Sequence, residues 1–227
     1  MRSLAMTAIL GSTMLFAAAN ANAQVVISQV YPGGSASGFY LNDYVELLNT
    51  GTSAYSLTNH SLQYGTGSSN FGTNASTIYI FPNGTSIAPM HYLLLQSGAA
   101  GSGGIAVPSP DLTTSGLEMG PSGGKLALVN ITASLNAGAT ATPLALPDSR
   151  VLDLVAYGTS NNAEGGAAAS VGVALTSNQV IVRKNQGLQD SNSNINDFDK
   201  LTAGGANSPR NASSPPASSA VAEWQLF

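Results

Sequence analysis

The sequence predicts an all-β fold, and three features lead to that prediction. Short stretches of alternating or continuous apolar residues recur along the chain, separated by clusters of Gly, Pro, Asn and Ser. The chain contains 25 Gly and 11 Pro, and only 8% of its residues are charged while 43% are hydrophobic. No segment after residue 23 that is longer than about ten residues shows the 3.6-residue apolar period of a helix. These features predict an immunoglobulin-like β-sandwich with at least seven strands.

The central element is Asp43 to Gly51, with the sequence DYVELLNTG. Its alternating pattern predicts one half-buried strand that ends in a turn. The first strand is predicted at Val25 to Tyr31, before a loop that begins at Pro32. Further strands are predicted at Ser56-Leu57, Ser61 to Tyr64, His91 to Gln96, Lys125 to Asn130, Val151 to Tyr157 and Gln179 to Arg183.

One hairpin is also predicted. Ile78 to Phe81 and Thr85 to Ile87 flank Pro82-Asn83-Gly84, whose Asn-Gly pair suits a tight turn. The core of the sandwich is predicted to contain the inward apolar residues of these strands, namely Val45, Leu47, Leu57, Leu93, Leu95, Leu128, Val155 and Tyr157.

Residues 1–23 have the pattern of a secretory signal. Arg2 precedes an apolar run to Ala19, and Ala21-Asn22-Ala23 fits an A-x-A cleavage site. A membrane-spanning helix needs roughly 20 apolar residues, and this run is shorter and interrupted, so an uncleaved anchor is the alternative. We expect a mature chain that begins at Gln24, has no membrane-spanning segment, and is secreted, periplasmic or at the cell surface.

The charge pattern argues against nucleic acid as a partner. Seven Lys and Arg residues are scattered among 11 Asp and Glu, giving a net charge of -4. Nucleic-acid binders present a basic stripe to the phosphate backbone, and this chain has none in its sequence. Cysteine is absent, so an exported chain of this kind must be stabilised by its core.

Several segments, in this order, resemble the lamin tail domain family, an immunoglobulin-like module that also occurs in exported bacterial proteins. The segments are Ile27 to Tyr31, Asn42 to Leu47, Asn49 with Gly51, Leu57 to Leu62, Lys125 to Asn130, Asp153 to Gly158, Asp190 to Phe198 and Ser208 to Asn211. The chain departs from the family at His60, Gln29 and Asn192, where Trp, Glu and Asp are usual. The resemblance implies a domain over residues 24–211.

Bacterial members often precede a nuclease or phosphatase domain or recur in surface proteins. Nothing of domain size follows Asn211 in this sequence, so we expect no such enzymatic activity here. The residues that could be catalytic or bind a metal lead to the same expectation. Asp43 and Glu46 lie at an odd spacing, which places them on opposite faces of a strand, and neither His60 nor His91 has a second metal ligand at close spacing.

One loop has the composition of an ion site. Asp190, Asn192 and Asn194 supply oxygen at alternate positions, and Asp197 follows closely, as in the first part of a calcium-binding loop. Ile195 replaces the glycine of an EF-hand, so the hypothesis is a structural calcium ion held outside that motif, with no other cofactor. The alternative is a loop held by Asx-turns.

Residues 212–227 are predicted to be a Ser/Pro/Ala linker and a short tail. The tail, Val221 to Phe227, could dock on a partner through Trp224, Leu226 and Phe227, or be disordered. The sequence therefore favours a non-catalytic module that binds a protein or cell-surface component. The alternatives are an accessory to, or remnant of, a secreted metal-dependent nuclease or phosphatase, and a structural component of a surface layer.

Overall fold

The computed structural model describes residues 24–34, 38–169 and 172–218. The signal sequence predicted at residues 1–23 and the docking residues Trp224, Leu226 and Phe227 lie outside these residues, so both stay predictions. No helix in the described ranges has the length and apolar character needed to cross a membrane.

The described residues form twelve strands and one short helix. The strands are β1 (Val25–Tyr31), β2 (Asp43–Asn49), β3 (Tyr55–Ser56), β4 (Ser61–Thr66), β5 (Ile78–Ile80), β6 (Ser86–Ile87), β7 (Tyr92–Ser97), β8 (Leu112–Thr113), β9 (Gly123–Val129), β10 (Val151–Gly158), β11 (Gln179–Arg183) and β12 (Phe198–Thr202). The helix α1 (Asn194–Asp197) lies between β11 and β12.

The strands form two main sheets. One has six strands in the order β12-β11-β1-β2-β7-β8, and the other has four in the order β10-β9-β4-β5. A third sheet contains only β3 and β6. Neighbouring strands are antiparallel except β7 and β8. The largest core cluster takes apolar side chains from both main sheets, so the prediction of an immunoglobulin-like β-sandwich is confirmed.

The predicted core is confirmed residue by residue. All eight residues named from the sequence belong to the largest buried cluster. On β2, Val45 and Leu47 point into it because alternate side chains of a strand lie on one face.

The expectation that β2 is half-buried is wrong, because all seven of its residues are buried. Tyr44 on its outer face packs with Tyr31 and Tyr40, and Leu48 packs in a cluster that contains Ala217. Loops and the C-terminal segment thus cover the face that was predicted to contact solvent.

The predicted hairpin is also wrong. Thr85 does donate its N–H to Pro82 O at 3.1 Å, and Gly84 has φ of 86°, so the turn exists. However, β5 pairs with β4 and β6 pairs with β3, so the turn carries the chain from one sheet to another.

The described part of the predicted linker lies against the domain. Ala217 is buried, and its N–H donates to Met90 O at 2.7 Å. Ala212 N–H donates to a carboxylate oxygen of Asp111 at 3.0 Å. Residues 212–217 are therefore held to the six-stranded sheet and its loops.

Candidate functional site around Arg183

Arg183 is the last residue of β11, and its side chain is fully buried. Its Nε donates to Ile27 O at 3.0 Å, and its Nη2 donates to both oxygens of Asp153 at 2.9 and 2.8 Å. Its Nη1 contacts Asp190 at 3.2 Å, and the guanidinium lies 4.5 Å from the ring centre of Phe198. Arginine suits this position because its planar group can make several charge-assisted bonds at once.

Four carboxyl groups surround this one guanidinium. Asp153, Glu164 and Asp190 have oxygen atoms that all lie within 4.8 Å of one another. Asp197 lies 3.7 Å from Nη1 of Arg183, the nitrogen that also contacts Asp190. Asp153 is also fixed by the N–H of Ile27, at 2.5 Å. The acidic groups therefore outnumber the one cation in contact with them.

The excess of acidic groups affects the protonation of Glu164. Burial raises the pKa of its carboxyl to about 9, and the negative charge of Asp153 adds to that effect. Burial also raises the pKa of Asp153, although the Arg183 charge opposes it. Glu164 thus retains a proton at neutral pH, whereas the charge of Arg183 stabilises the ionised form of Asp153.

Glu164 is 6% exposed, and that small surface faces a cavity of about 480 Å³. The other residues that line the cavity are Leu146, Pro147, Asp148, Val151, Leu152, Gly165 and Asn192. Asp148 is bound by Arg150 at 2.7 Å, and these hydrogen bonds hold the pKa of Asp148 well below its ordinary value. The cavity combines apolar walls with two carboxyl groups in opposite protonation states.

The four predicted calcium ligands do not converge on one centre. Asn194 accepts a hydrogen bond from Ala156 N–H at 2.9 Å and donates to Leu154 O at 2.8 Å, so its side chain ties α1 to β10. Asp197 accepts from the N–H and hydroxyl of Ser191, at 2.9 and 2.7 Å.

Asn192 is exposed with φ of 54°, and its N–H donates to Asp190 at 3.3 Å, as in an Asx-turn. Only Asp190 belongs to the group of close carboxyl oxygens, with Asp153 and Glu164 in place of the other predicted ligands. Calcium binding by this loop stays a prediction.

The sequence reasoning missed Arg183, Asp153 and Glu164. A signal was present, because Asp153 interrupts the apolar run VLDLVAY of β10 and Arg183 ends the apolar run QVIVR of β11. A charged residue inside such a run is expected to have a buried partner.

Glu46 requires a correction as well. On a half-buried strand it would be an outward polar residue, yet its side chain is fully buried. Nη2 of Arg210 contacts it at 2.7 Å, Arg210 N–H donates to it at 2.6 Å, and Ser28 donates its hydroxyl at 2.5 Å. Asp43 lies at the other end of this stretch and accepts from Gly34 N–H and Met119 N–H, at 2.8 and 2.7 Å.

Both histidines bind neighbouring residues. His60 donates Nδ1–H to Thr58 O at 2.8 Å, and its Nε2 lies 3.2 Å from the hydroxyl of Tyr55. His91 donates Nδ1–H to Pro89 O at 2.8 Å. Each ring is thus oriented by the turn that precedes a strand.

Comparison with known proteins identifies a family. The sequence profile of the lamin tail domain matches residues 18–159, which is more than half of the chain. A crystal structure of a DUF4876 family protein from Bacteroides thetaiotaomicron has a TM-score of 0.48 and 14% sequence identity to this chain, covering 78% of this chain and 71% of that one. No curated protein matches the sequence. The profile match shows that the chain belongs to the lamin tail domain family.

Proposed function

We propose that this chain is an exported, non-catalytic module that binds a protein or another component of the cell envelope. The observation that carries the proposal is that its candidate catalytic side chains are bound to other groups of the protein itself. Asp43 binds two backbone N–H groups, Glu46 binds Arg210, and His60 and His91 each bind the carbonyl of a preceding turn. These side chains stabilise the sandwich, and its recognition therefore resides in loops and cavities.

Export is supported by the signal pattern of residues 1–23. Fractionation of the producing cells tests it directly. The protein should be found in the envelope or the medium with Gln24 as its first residue, and replacement of residues 1–23 by a single Met should leave it in the cytoplasm. Recovery of the unprocessed chain from the cytoplasm would contradict export.

The binding experiment compares two forms of the protein, residues 24–227 and residues 24–218. The shorter form keeps Ala217, which packs on the domain, and removes only residues beyond the described part. Each is immobilised and exposed to solubilised envelope, and bound proteins are confirmed with purified components. Equal binding places recognition on the sandwich, whereas binding by the longer form alone places it on the tail that contains Trp224, Leu226 and Phe227. If neither form binds a component, the proposed function is wrong.

A second candidate follows from the group Asp153, Glu164 and Asp190, because close carboxyl oxygens can hold a divalent ion that assists phosphodiester hydrolysis. It is the accessory or remnant of a secreted nuclease or phosphatase. The test is hydrolysis of a phosphodiester by the purified protein with magnesium or calcium. Activity that survives purification and is lost in Asp190→Ala would favour this candidate, and inactivity with both ions would reject it.

A further inference from the structure

The cavity at Glu164 has the size and composition of a side-chain binding site. Its volume of about 480 Å³ lies within the usual range for ligand pockets. It is formed by the loop at Leu146, the first residues of β10 and the turn that carries Glu164. The nuclease alternative would use Glu164, but none of the functions discussed so far uses the apolar walls of the cavity.

One side of the cavity is lined by apolar side chains. Leu146 is 38% exposed and Pro147 is also exposed, and the partly buried Val151 and Leu152 continue the apolar surface. These groups offer van der Waals contacts and apolar burial to an alkyl chain.

The floor of the cavity accepts hydrogen bonds. The oxygens of Glu164 receive only long bonds, from Leu154 N–H at 3.3 Å and from Asn194 Nδ2 at 3.3 Å, so the carboxyl has acceptor capacity left, and more when it is ionised. Asp153 and Asp190 have oxygen atoms within 4.8 Å of Glu164, and among the residues that the structure describes Arg183 is the cation in contact with them. The electrostatic field at the floor therefore favours a positive charge.

We propose that this cavity binds the side chain of a lysine from the partner protein. Its alkyl stem lies along Leu146, Val151 and Leu152, and its ammonium group lies at Glu164, whose carboxyl releases its proton to solvent when the ammonium binds. This rests on the proposed binding function and specifies the chemistry of the partner. Lysine combines a compact charged head with a flexible four-carbon stem, which matches the carboxyl floor and the hydrocarbon walls.

Two other cations fit less well. A divalent metal ion prefers six or more oxygen ligands, whereas both oxygens of Asp153 are already bound by Arg183 and the cavity walls are apolar. An arginine side chain binds a carboxylate best through two parallel bonds, and Glu164 is only 6% exposed, so a compact ammonium reaches it more easily than a planar guanidinium.

The test uses small probes and no partner protein, so that its failure is distinct from failure of the envelope-binding experiment. Residues 24–227 are titrated with Nα-acetyl-lysine N-methylamide by NMR. The matched probe is Nα-acetyl-norleucine N-methylamide, which keeps the stem and lacks the ammonium. We expect saturable binding of the lysine probe with a Kd on the order of 1 mM, at least tenfold tighter than that of norleucine.

Two variants locate the site. Glu164→Gln keeps an acceptor for Leu154 N–H and should weaken binding of the lysine probe at least tenfold. Leu146→Ser alters an exposed residue at the edge, so it should fold normally and weaken binding several-fold. The control is Glu118→Gln, an exposed carboxyl that does not line the cavity, and its affinity should equal that of the original protein.

Several results would overturn the proposal. They are the lack of saturable binding, equal affinity for the two probes, and unchanged affinity in both Glu164→Gln and Leu146→Ser. Displacement of the lysine probe by calcium at a much lower concentration would also overturn it, because the cavity would then be a metal site.

Discussion

Two arginines attach distant segments to the six-stranded sheet of this protein, and they differ in the balance of charge around them. Arg210 meets one carboxylate, Glu46, and its side chain is 22% exposed. Arg183 is fully buried and contacts Asp153, Asp190 and Asp197, with Glu164 close behind. Arg210 and Glu46 form a pair with one basic and one acidic residue. The group around Arg183 has one basic residue and several acidic ones.

The difference separates a structural contact from a candidate recognition site. Arg210 fixes the C-terminal segment, and its guanidinium also lies 3.9 Å from the ring centre of Tyr92 and donates to its hydroxyl. The donor groups of the Arg210 guanidinium are thus bound within the domain. Around Arg183 the buried carboxyls are only partly neutralised, which costs folding free energy and leaves excess negative charge close to Glu164 and its cavity.

Removal of Arg183 should have the largest effect. In Arg183→Met, Asp153 and its neighbours become buried acids without a cation, and we expect the free energy of unfolding to fall by about 3–5 kcal/mol. Urea denaturation measures this. The control is Arg150→Met, whose exposed ion pair with Asp148 should contribute about 1 kcal/mol or less. Equal effects of the two substitutions would contradict the central role of Arg183.

Asp43 extends the comparison to a buried carboxyl without an arginine contact. Burial raises its pKa from 3.8 to about 7, against the hydrogen bonds from Met119 and Gly34. Because the folded state binds this proton more tightly than the unfolded state, its contribution is full below pH 3.8 and is lost as the pH rises to 7. The expected loss is about 4 kcal/mol, at roughly 1.4 kcal/mol for each unit of pKa shift.

Urea denaturation from pH 4 to pH 8 tests this in the original protein and in Asp43→Asn. The difference between the two unfolding free energies should change with pH mainly between 4 and 7. A constant difference would mean that Asp43 stays ionised in the folded state throughout this range.

Removal of Arg210 should cost less than removal of Arg183. In Arg210→Met, Glu46 keeps the hydroxyl of Ser28 but loses its cation, and its carboxyl can take up a proton. We expect a loss of about 2 kcal/mol, with faster amide exchange in residues 212–217. The double variant Glu46→Gln/Arg210→Met should recover part of the loss, because no buried charge remains. A double variant that is less stable than Arg210→Met would contradict this account.

The fold could be predicted from the sequence because its signal is local. Val45, Leu47, Val155 and Tyr157 alternate along their strands, and that period alone identifies an inward face. β12 was missed because Asp199 and Lys200 break its apolar pattern, and its pairing with β11 depends on the whole sheet.

The candidate site could not be predicted because its partners are distant in sequence. Arg183 and Asp153 are 30 positions apart, and Arg210 and Glu46 are 164 apart. The loop from Asp190 to Asp197 also could not be predicted, although its residues are close in sequence. Its oxygen spacing resembles that of a calcium site, but Asn194 points to β10 and Asp197 to its own loop, and only tertiary structure determines those directions.

Lys125 provides the opposite case, a fully buried cation for which the structure shows three neutral acceptors and no carboxylate contact. Its Nζ donates to Gly67 O, Gly138 O and Asn161, and burial lowers its pKa from 10.5 to about 8. In Lys125→Met three hydrogen bonds are lost, but the cost of burying a charge also disappears. We therefore expect a change of less than about 1 kcal/mol at pH 7.

The pH dependence distinguishes this cancellation from an inert side chain. Between pH 8 and pH 10.5 the folded state has released the Lys125 proton while the unfolded state still binds it, so the original protein should gain stability relative to Lys125→Met as the pH rises. Urea denaturation at pH 7 and pH 10 measures both quantities. A loss of several kcal/mol at pH 7 would show that the three hydrogen bonds outweigh desolvation, and that a buried cation here needs no carboxylate partner.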